Sequence, residues 1–288
     1  MSPAAPREPE RRTGRGRRHG PGLPFTDVAL IRLAIAGWIL VTLARVARLA
    51  WRERALAVTV WRSIGARHVL GAIGLLAVVG AVATSLLALV PGMDLGLGRL
   101  VGLTTNAVFA PVEEGLSRAG PPPASGPDWP MILGVSAFLL PLLFLLPWLA
   151  FVEEEVFRAG LEGAGALRVA VASLVFGLVH LVMLVPLAAA LAVGVAGAFY
   201  ARVYRRAHTA GQRAPEVARL VFRPTRRARR AAAGARRWVG PEDAVDREPE
   251  ERQAAGVFAA TVWHTAFNTV VVLLVWASVV VSGFADRG

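Results

Sequence analysis

The 288-residue chain contains no cysteine and no lysine. The first absence removes disulfides, thiolate metal ligands, a cysteine nucleophile and cysteine lipidation together. The second makes all 32 basic residues Arg, which, beside the many Ala and Gly, reads as a coding bias before it reads as function. No short apolar core followed by a small-residue cleavage site lies near the start, so no removable signal peptide is expected and the first apolar block directs insertion. What the chain does have is hydrophobicity: 55% of its residues are apolar, yet the formal net charge is +12. A soluble domain would fold poorly around that combination. The apolar residues fall in blocks, which points to a multispan membrane protein.

The first 26 residues are polar, rich in Pro and Gly, and carry six Arg (Arg7, Arg11, Arg12, Arg15, Arg17 and Arg18). They read as a disordered Arg-rich tail, with 27–288 forming a transmembrane domain. Apolar blocks near the spanning length of about 17–25 residues run over 28–50, 69–91, 131–152, 166–184, 187–204 and 255–284. The expected fold is therefore all-α, a transmembrane bundle of about six to eight helices with a polar intramembrane cavity. The first block is the weakest span, because Arg45, Arg48 and Arg52 share a helical face and suit an interfacial helix equally well. A further segment, 95–112, is short and marginal, and the Pro- and Gly-rich stretch 119–130 reads as a loop.

Between Arg202 and Arg252 lie fourteen Arg and seven acidic residues. By the positive-inside rule this insertion is cytoplasmic, as is 51–68 with Arg52, Arg54, Arg62 and Arg67. Walking through the spans then puts residue 153 at the cytoplasmic end of its helix. The insertion serves as a topology determinant, and as a polybasic segment it also suits anionic lipid. Few aromatics interleave with its Arg residues, so no nucleic-acid role is read from it.

Three polar clusters interrupt the apolar blocks: Glu153-Glu154-Glu155-Val156-Phe157-Arg158, Phe176-Gly177-Leu178-Val179-His180 and His264-Thr265-Ala266-Phe267-Asn268. An ionisable side chain at bilayer depth costs about 2.5–3.5 kcal/mol on insertion scales and marks a functional site by default. On a helix Glu154 and Arg158 are neighbours, as are Phe176 and His180, and His264 and Asn268. Glu154 can thus pair with Arg158 and leave Glu153 free, and a poorly solvated Glu153 suits a general base. Each cluster also has a plainer reading: a solvated helix end, a structural His, an Asn that joins helices. His19, His68 and His208 fall in charged or boundary segments, so His180 and His264 are the expected intramembrane pair.

In order and spacing the three clusters resemble the CAAX protease and bacteriocin-processing family of intramembrane endopeptidases, whose pattern is Glu-Glu-x-x-x-Arg, Phe-x-x-x-His and His-x-x-x-Asn. The match covers about residues 131–275 and includes Phe157 directly before the Arg. Gly194, Gly197 and Tyr200 are similar to the family as well. The resemblance implies that Glu153, with His180, activates a water for attack on a peptide carbonyl. It further implies that His264 and Asn268 stabilise the oxyanion and that Glu154 and Arg158 hold the motif helix in place. No cofactor is required on this reading; zinc on Glu153, His180 and His264 is the alternative. The implied partners are a peptide or membrane-protein substrate and membrane lipid.

Three departures from the pattern stand out. A second Glu-Glu-x-x-x-Arg lies at Glu113, Glu114 and Arg118; it is set aside because Ser117 replaces the Phe, a Pro-rich loop follows, and it lies 67 residues before His180 against 27 for Glu153. Ala159 follows Arg158 where Gly is usual. The basic insertion separates the second and third motifs. Two other functions compete with peptidase activity: a catalytically silent interaction or bacteriocin-immunity protein of the same fold, and a proton-coupled transporter using the same Glu and His groups.

Overall fold

A computed structural model describes residues 37, 41, 44–96, 129–183, 185–211, 213–222 and 249–285. The chain divides into two units, Met1–Ala47 and Arg48–Gly288. The boundary after residue 26, the segment 97–128 with Glu113 and Glu114, and the insertion over 223–248 lie outside the described residues.

Among the described residues the second unit is all-helical: α1 (Arg54–Ser63), α2 (Ala66–Leu89), α3 (Trp129–Arg158), α4 (Ala166–Val179), a 3₁₀ turn (His180–Met183), α5 (Leu187–Thr209), α6 (Glu216–Val221) and α7 (Pro249–Ala285). Five stretches are long and apolar enough to cross a membrane: α2, α3, α4 with its 3₁₀ turn, α5, and Pro249–Phe284 of α7. They coincide with five of the six apolar blocks, and the chain is a multispan helical membrane protein. Of the sixth block, 28–50, only 37, 41 and 44–50 are described, and all are helical.

Large apolar side chains point outward along the spans, with Leu70, Leu133, Leu167 and Val281 all more than half exposed. The interior instead collects small residues and the polar clusters, because lipid solvates a Leu as well as another helix does. α5 is the clearest case: Ala188, Ala190, Ala192, Gly194, Ala196, Gly197 and Ala201 are all buried, and α4, α7 and α2 pack around this helix. A Cβ at Gly177 of α4 would overlap the Ala190 carbonyl oxygen and lie 2.7 Å from the Gly194 nitrogen. Backbone-to-backbone approach is thus what the glycine supplies at this crossing. A Cβ at Gly71 of α2 would fall inside the Trp263 ring, so that glycine seats the residue next to His264.

Helix ends are tied by backbone and side-chain partners. The first amides of α5, Leu187 and Ala188, donate to the carbonyls of Leu95 (2.8 Å) and Met93 (3.0 Å), which satisfies groups that a helix start leaves without intrahelical acceptors. Trp148 Nε1 donates to Glu53 at 2.7 Å and Trp276 Nε1 to Ser136 at 2.9 Å. At the opposite end of α7 from Trp276, the fully buried Gln253 donates to Glu162 in the α3–α4 connection, and Arg219 of α6 meets Glu251 at 3.5 Å.

Two expectations change here. Helices outrun their apolar blocks: α5 continues through Arg202, Arg205 and Arg206 to Thr209, and α7 begins at Pro249, six residues before the apolar block. The described part of the 202–252 insertion is therefore helical in part, and α6 packs on α7 and α1. His68 and His208 also lie within span helices, and His68 is buried against the edge of Trp263, with ring centroids 4.8 Å apart.

The α4–α5 crossing yields a stability prediction. Gly177→Ala is expected to destabilise the bundle by about 1–3 kcal/mol through overpacking, whereas Gly74→Ala, whose Cβ meets nothing within 4 Å, is expected to unfold like the parent. Thermal unfolding in detergent micelles, followed by far-UV circular dichroism, compares the two.

Candidate functional site

The site is assembled from the last turns of α3, the end of α4, the middle of α5 and the middle of α7. Glu154 and Arg158 are one turn apart on α3 and both fully buried. Arg158 Nε donates to Glu154 Oε2 at 3.0 Å, the pair anticipated from the spacing. The other oxygen, Glu154 Oε1, lies 2.9 Å from Nδ1 of His264 on α7. An ionised carboxylate can only accept, so Nδ1 carries a proton and the ring turns Nε2 to the other side. That Nε2 lies 3.8 Å from Glu153 Oε2. The result is a hydrogen-bonded chain, Arg158 to Glu154 to His264, with Glu153 Oε2 facing its far end beyond hydrogen-bonding distance. Its three members are buried, while the Glu153 side chain keeps 37% of its surface.

Aromatic rings enclose this chain. The Arg158 guanidinium sits 4.6 Å above the Phe176 ring, an arrangement in which the ring's negative face offsets part of the cost of burying a cation. Phe176 makes edge contacts with Phe157 (5.3 Å), His180 (5.0 Å) and His264 (5.7 Å). The second motif thus brings both imidazoles to one phenyl ring, and among the described residues no ring contact joins the two imidazoles directly. His180 caps the end of α4, and its Nδ1 lies 2.8 Å from the Phe176 carbonyl oxygen. A carbonyl only accepts, so this Nδ1 is also the protonated nitrogen.

The structure therefore brings Glu153, Glu154, Arg158 and His264 together, with His180 adjoining through Phe176. Two details differ from the sequence expectation. Glu153 faces His264 instead of His180, and His264 is held by Glu154, a contact across 110 positions that no helical spacing reveals. Asn268 lies one turn beyond His264, partly buried, and no hydrogen bond among the described residues joins it to the chain. Tyr200 of α5 belongs to the site although neither charge nor motif spacing assigns it a role: its ring stacks on His264 at 4.7 Å and 18°.

A metal would need at least a third donor. Glu153 Oε2 and His264 Nε2 are close enough to share one ion, zinc bonds to such atoms being about 2.0–2.2 Å. Among the described residues, no group of three His, Asp or Glu side chains converges as a ligand set.

Fold and site together define a polytopic helical membrane protein with a buried Arg–Glu–His chain ending at a partly exposed carboxylate. No protein-family model, curated protein or solved structure matches the sequence or the fold.

Removing one member of the buried pair should cost more than removing both. Arg158→Met strands the Glu154 charge and is expected to destabilise by about 3–5 kcal/mol. The double variant Arg158→Met/Glu154→Gln should lose clearly less than the sum of the single losses, as measured by a double-mutant cycle of unfolding in detergent.

Proposed function

We propose that this chain is an intramembrane endopeptidase that hydrolyses a peptide bond with a water activated by Glu153. The observation that carries the reading is the Arg158–Glu154–His264 chain, which ends 3.8 Å from Oε2 of Glu153, a buried oxygen with no hydrogen-bond partner among the described residues on an otherwise partly exposed side chain. Two acceptors at that spacing suit one water that donates a proton to each and keeps an oxygen lone pair for the scissile carbonyl carbon. Glu153 takes the water proton as the new C–O bond forms, and the proton is then delivered to the departing amine. Glu154 does for His264 what the buried carboxylate of a hydrolase triad does, holding one tautomer and orientation. Asn268, one turn further along α7, is the donor left for the oxyanion, and His180, with Nδ1 tied back to Phe176, has its Nε2 available to relay the proton.

The resemblance of the three motifs to the CAAX protease and bacteriocin-processing family supports the same reaction class. The substrate on this reading is a membrane protein or membrane-associated peptide. The protein sits in the cell membrane with the 202–252 insertion in the cytoplasm, where its Arg residues meet anionic headgroups. The silent interaction or immunity reading has one observation in its favour: Arg158, Glu154 and His264 also bond to one another as a structural network would, although Nη1 and Nη2 of Arg158 find no hydrogen-bond partner among the described residues.

Cleavage of a quenched membrane-peptide library by purified protein in nanodiscs separates the two readings. Glu153→Gln is expected to lower kcat by about 10²–10⁴ without unfolding the protein, and Glu113→Gln to cleave like the parent. Loss of cleavage on chelation, restored by zinc, would establish the metal-assisted version; no cleavage by the parent would establish the silent one. In cells, Ala232→Cys, the sole cysteine of that variant, is expected to react with a membrane-impermeant maleimide only after permeabilisation.

A further inference from the structure

One turn of α5 faces the site at two points. A Cβ at Gly197 would lie 2.8 Å from the Phe176 ring and 3.3 Å from Arg158 Nη2, so the missing side chain is the seat of both groups. Three residues on, Tyr200 is 1% exposed and lays its ring parallel to His264, 4.7 Å away. The same ring meets Phe176 at 6.3 Å and Phe267 at 6.5 Å, each edge to face, and Phe199 at 5.9 Å. The Tyr200 hydroxyl is buried and makes no hydrogen bond among the described residues. An imidazole pinned through Nδ1 alone can still swing about that hydrogen bond. The flat contact with Tyr200 on one face and the Phe176 edge beside it remove that freedom.

We infer that Tyr200 is a positioning residue: its ring, not its hydroxyl, fixes the plane of His264 so that Nδ1 stays on Glu154 and Nε2 stays directed toward Glu153. Gly197 does the corresponding work for Phe176 and Arg158. The catalytic consequence rests on the peptidase reading, whereas the geometric one does not. A ring that only positions should be replaceable by another ring of the same shape and by nothing smaller. It should act on the chemical step more than on substrate binding, because a misdirected Nε2 spoils the attack and leaves the peptide's other contacts in place.

The test compares Tyr200→Phe with Tyr200→Leu in full-length protein in detergent micelles, using ¹⁵N and ¹H NMR of selectively labelled histidine with His264→Gln for assignment. The parent and Tyr200→Phe are expected to show the His264 ring as the Nδ1–H tautomer with its carbon-bound protons shifted upfield by the stacked ring. In Tyr200→Leu that shift should disappear and the tautomers should mix. Tyr200→Phe should also melt no lower than the parent, because a buried hydroxyl without a partner costs stability. With a cleavable peptide, kcat should fall at least tenfold in Tyr200→Leu with KM within twofold, and recover in Tyr200→Phe. An unchanged His264 spectrum in Tyr200→Leu would overturn the inference, as would Tyr200→Phe losing as much kcat as Tyr200→Leu, which would assign the role to the hydroxyl. If the parent cleaves nothing while the spectra change as expected, the peptidase reading falls and the positioning role of Tyr200 stands.

Discussion

The Glu154 carboxylate organises the interior of this protein. Both of its oxygens are committed, one to Arg158 within α3 and one to His264 on α7. A carboxylate removed from water carries a desolvation cost that a single partner rarely offsets, so the second contact is part of what makes the first tolerable. The requirement then propagates. Arg158 must be fully buried to reach Glu154, its guanidinium needs the face of Phe176, and Phe176 needs the space that Gly197 leaves. Residues on α3, α4, α5 and α7 are arranged around one negative charge.

Sequence was a good guide to what is local. The i, i+4 spacing of Glu154 and Arg158 anticipated their ion pair, and five apolar blocks anticipated five spans, because helical neighbours and lipid-facing runs are one-dimensional properties. What crosses between helices was not legible. Nothing in the spacing of His264 and Asn268 says that His264 turns to Glu154, or that Tyr200, near the end of an Ala- and Gly-rich stretch, lies flat on the imidazole. The hints were indirect: Tyr200 follows the second motif, with Gly194 and Gly197, in the way the resemblance expects, and it is one of two tyrosines in the chain, but neither hint says what its ring touches. Hydropathy also understated helix length. Arg205 and Arg206 lie beyond the apolar block 187–204 but still within the helix, since hydropathy reports the solvent and backbone hydrogen bonding continues beyond it.

The site is asymmetric in its exposure. Glu154, Arg158 and His264 are sealed, whereas Glu153, adjacent in sequence to Glu154, keeps over a third of its side-chain surface. Consecutive residues on a helix point about 100° apart, so two adjacent carboxylates experience different surroundings. One is enclosed with both oxygens partnered, and the other keeps part of its side chain at the surface.

The 37-residue helix α7 is unbroken from Pro249 to Ala285. The insertion joins it at one end, Gln253 clamps that end to Glu162, and His264 sits eleven residues further along. An α-helix is stiff along its axis and advances about 1.5 Å per residue, so Gln253 and the imidazole ride on one rod. A slide of a single residue's rise would lengthen the 2.9 Å bond between His264 and Glu154 to about 3.3 Å where it runs across the bond, and a slide of two residues to about 4.2 Å, beyond hydrogen-bonding distance. The Gln253–Glu162 contact near one end of the helix and the His264–Glu154 contact at its middle are therefore two pins on one axis, and each fixes the register that the other requires.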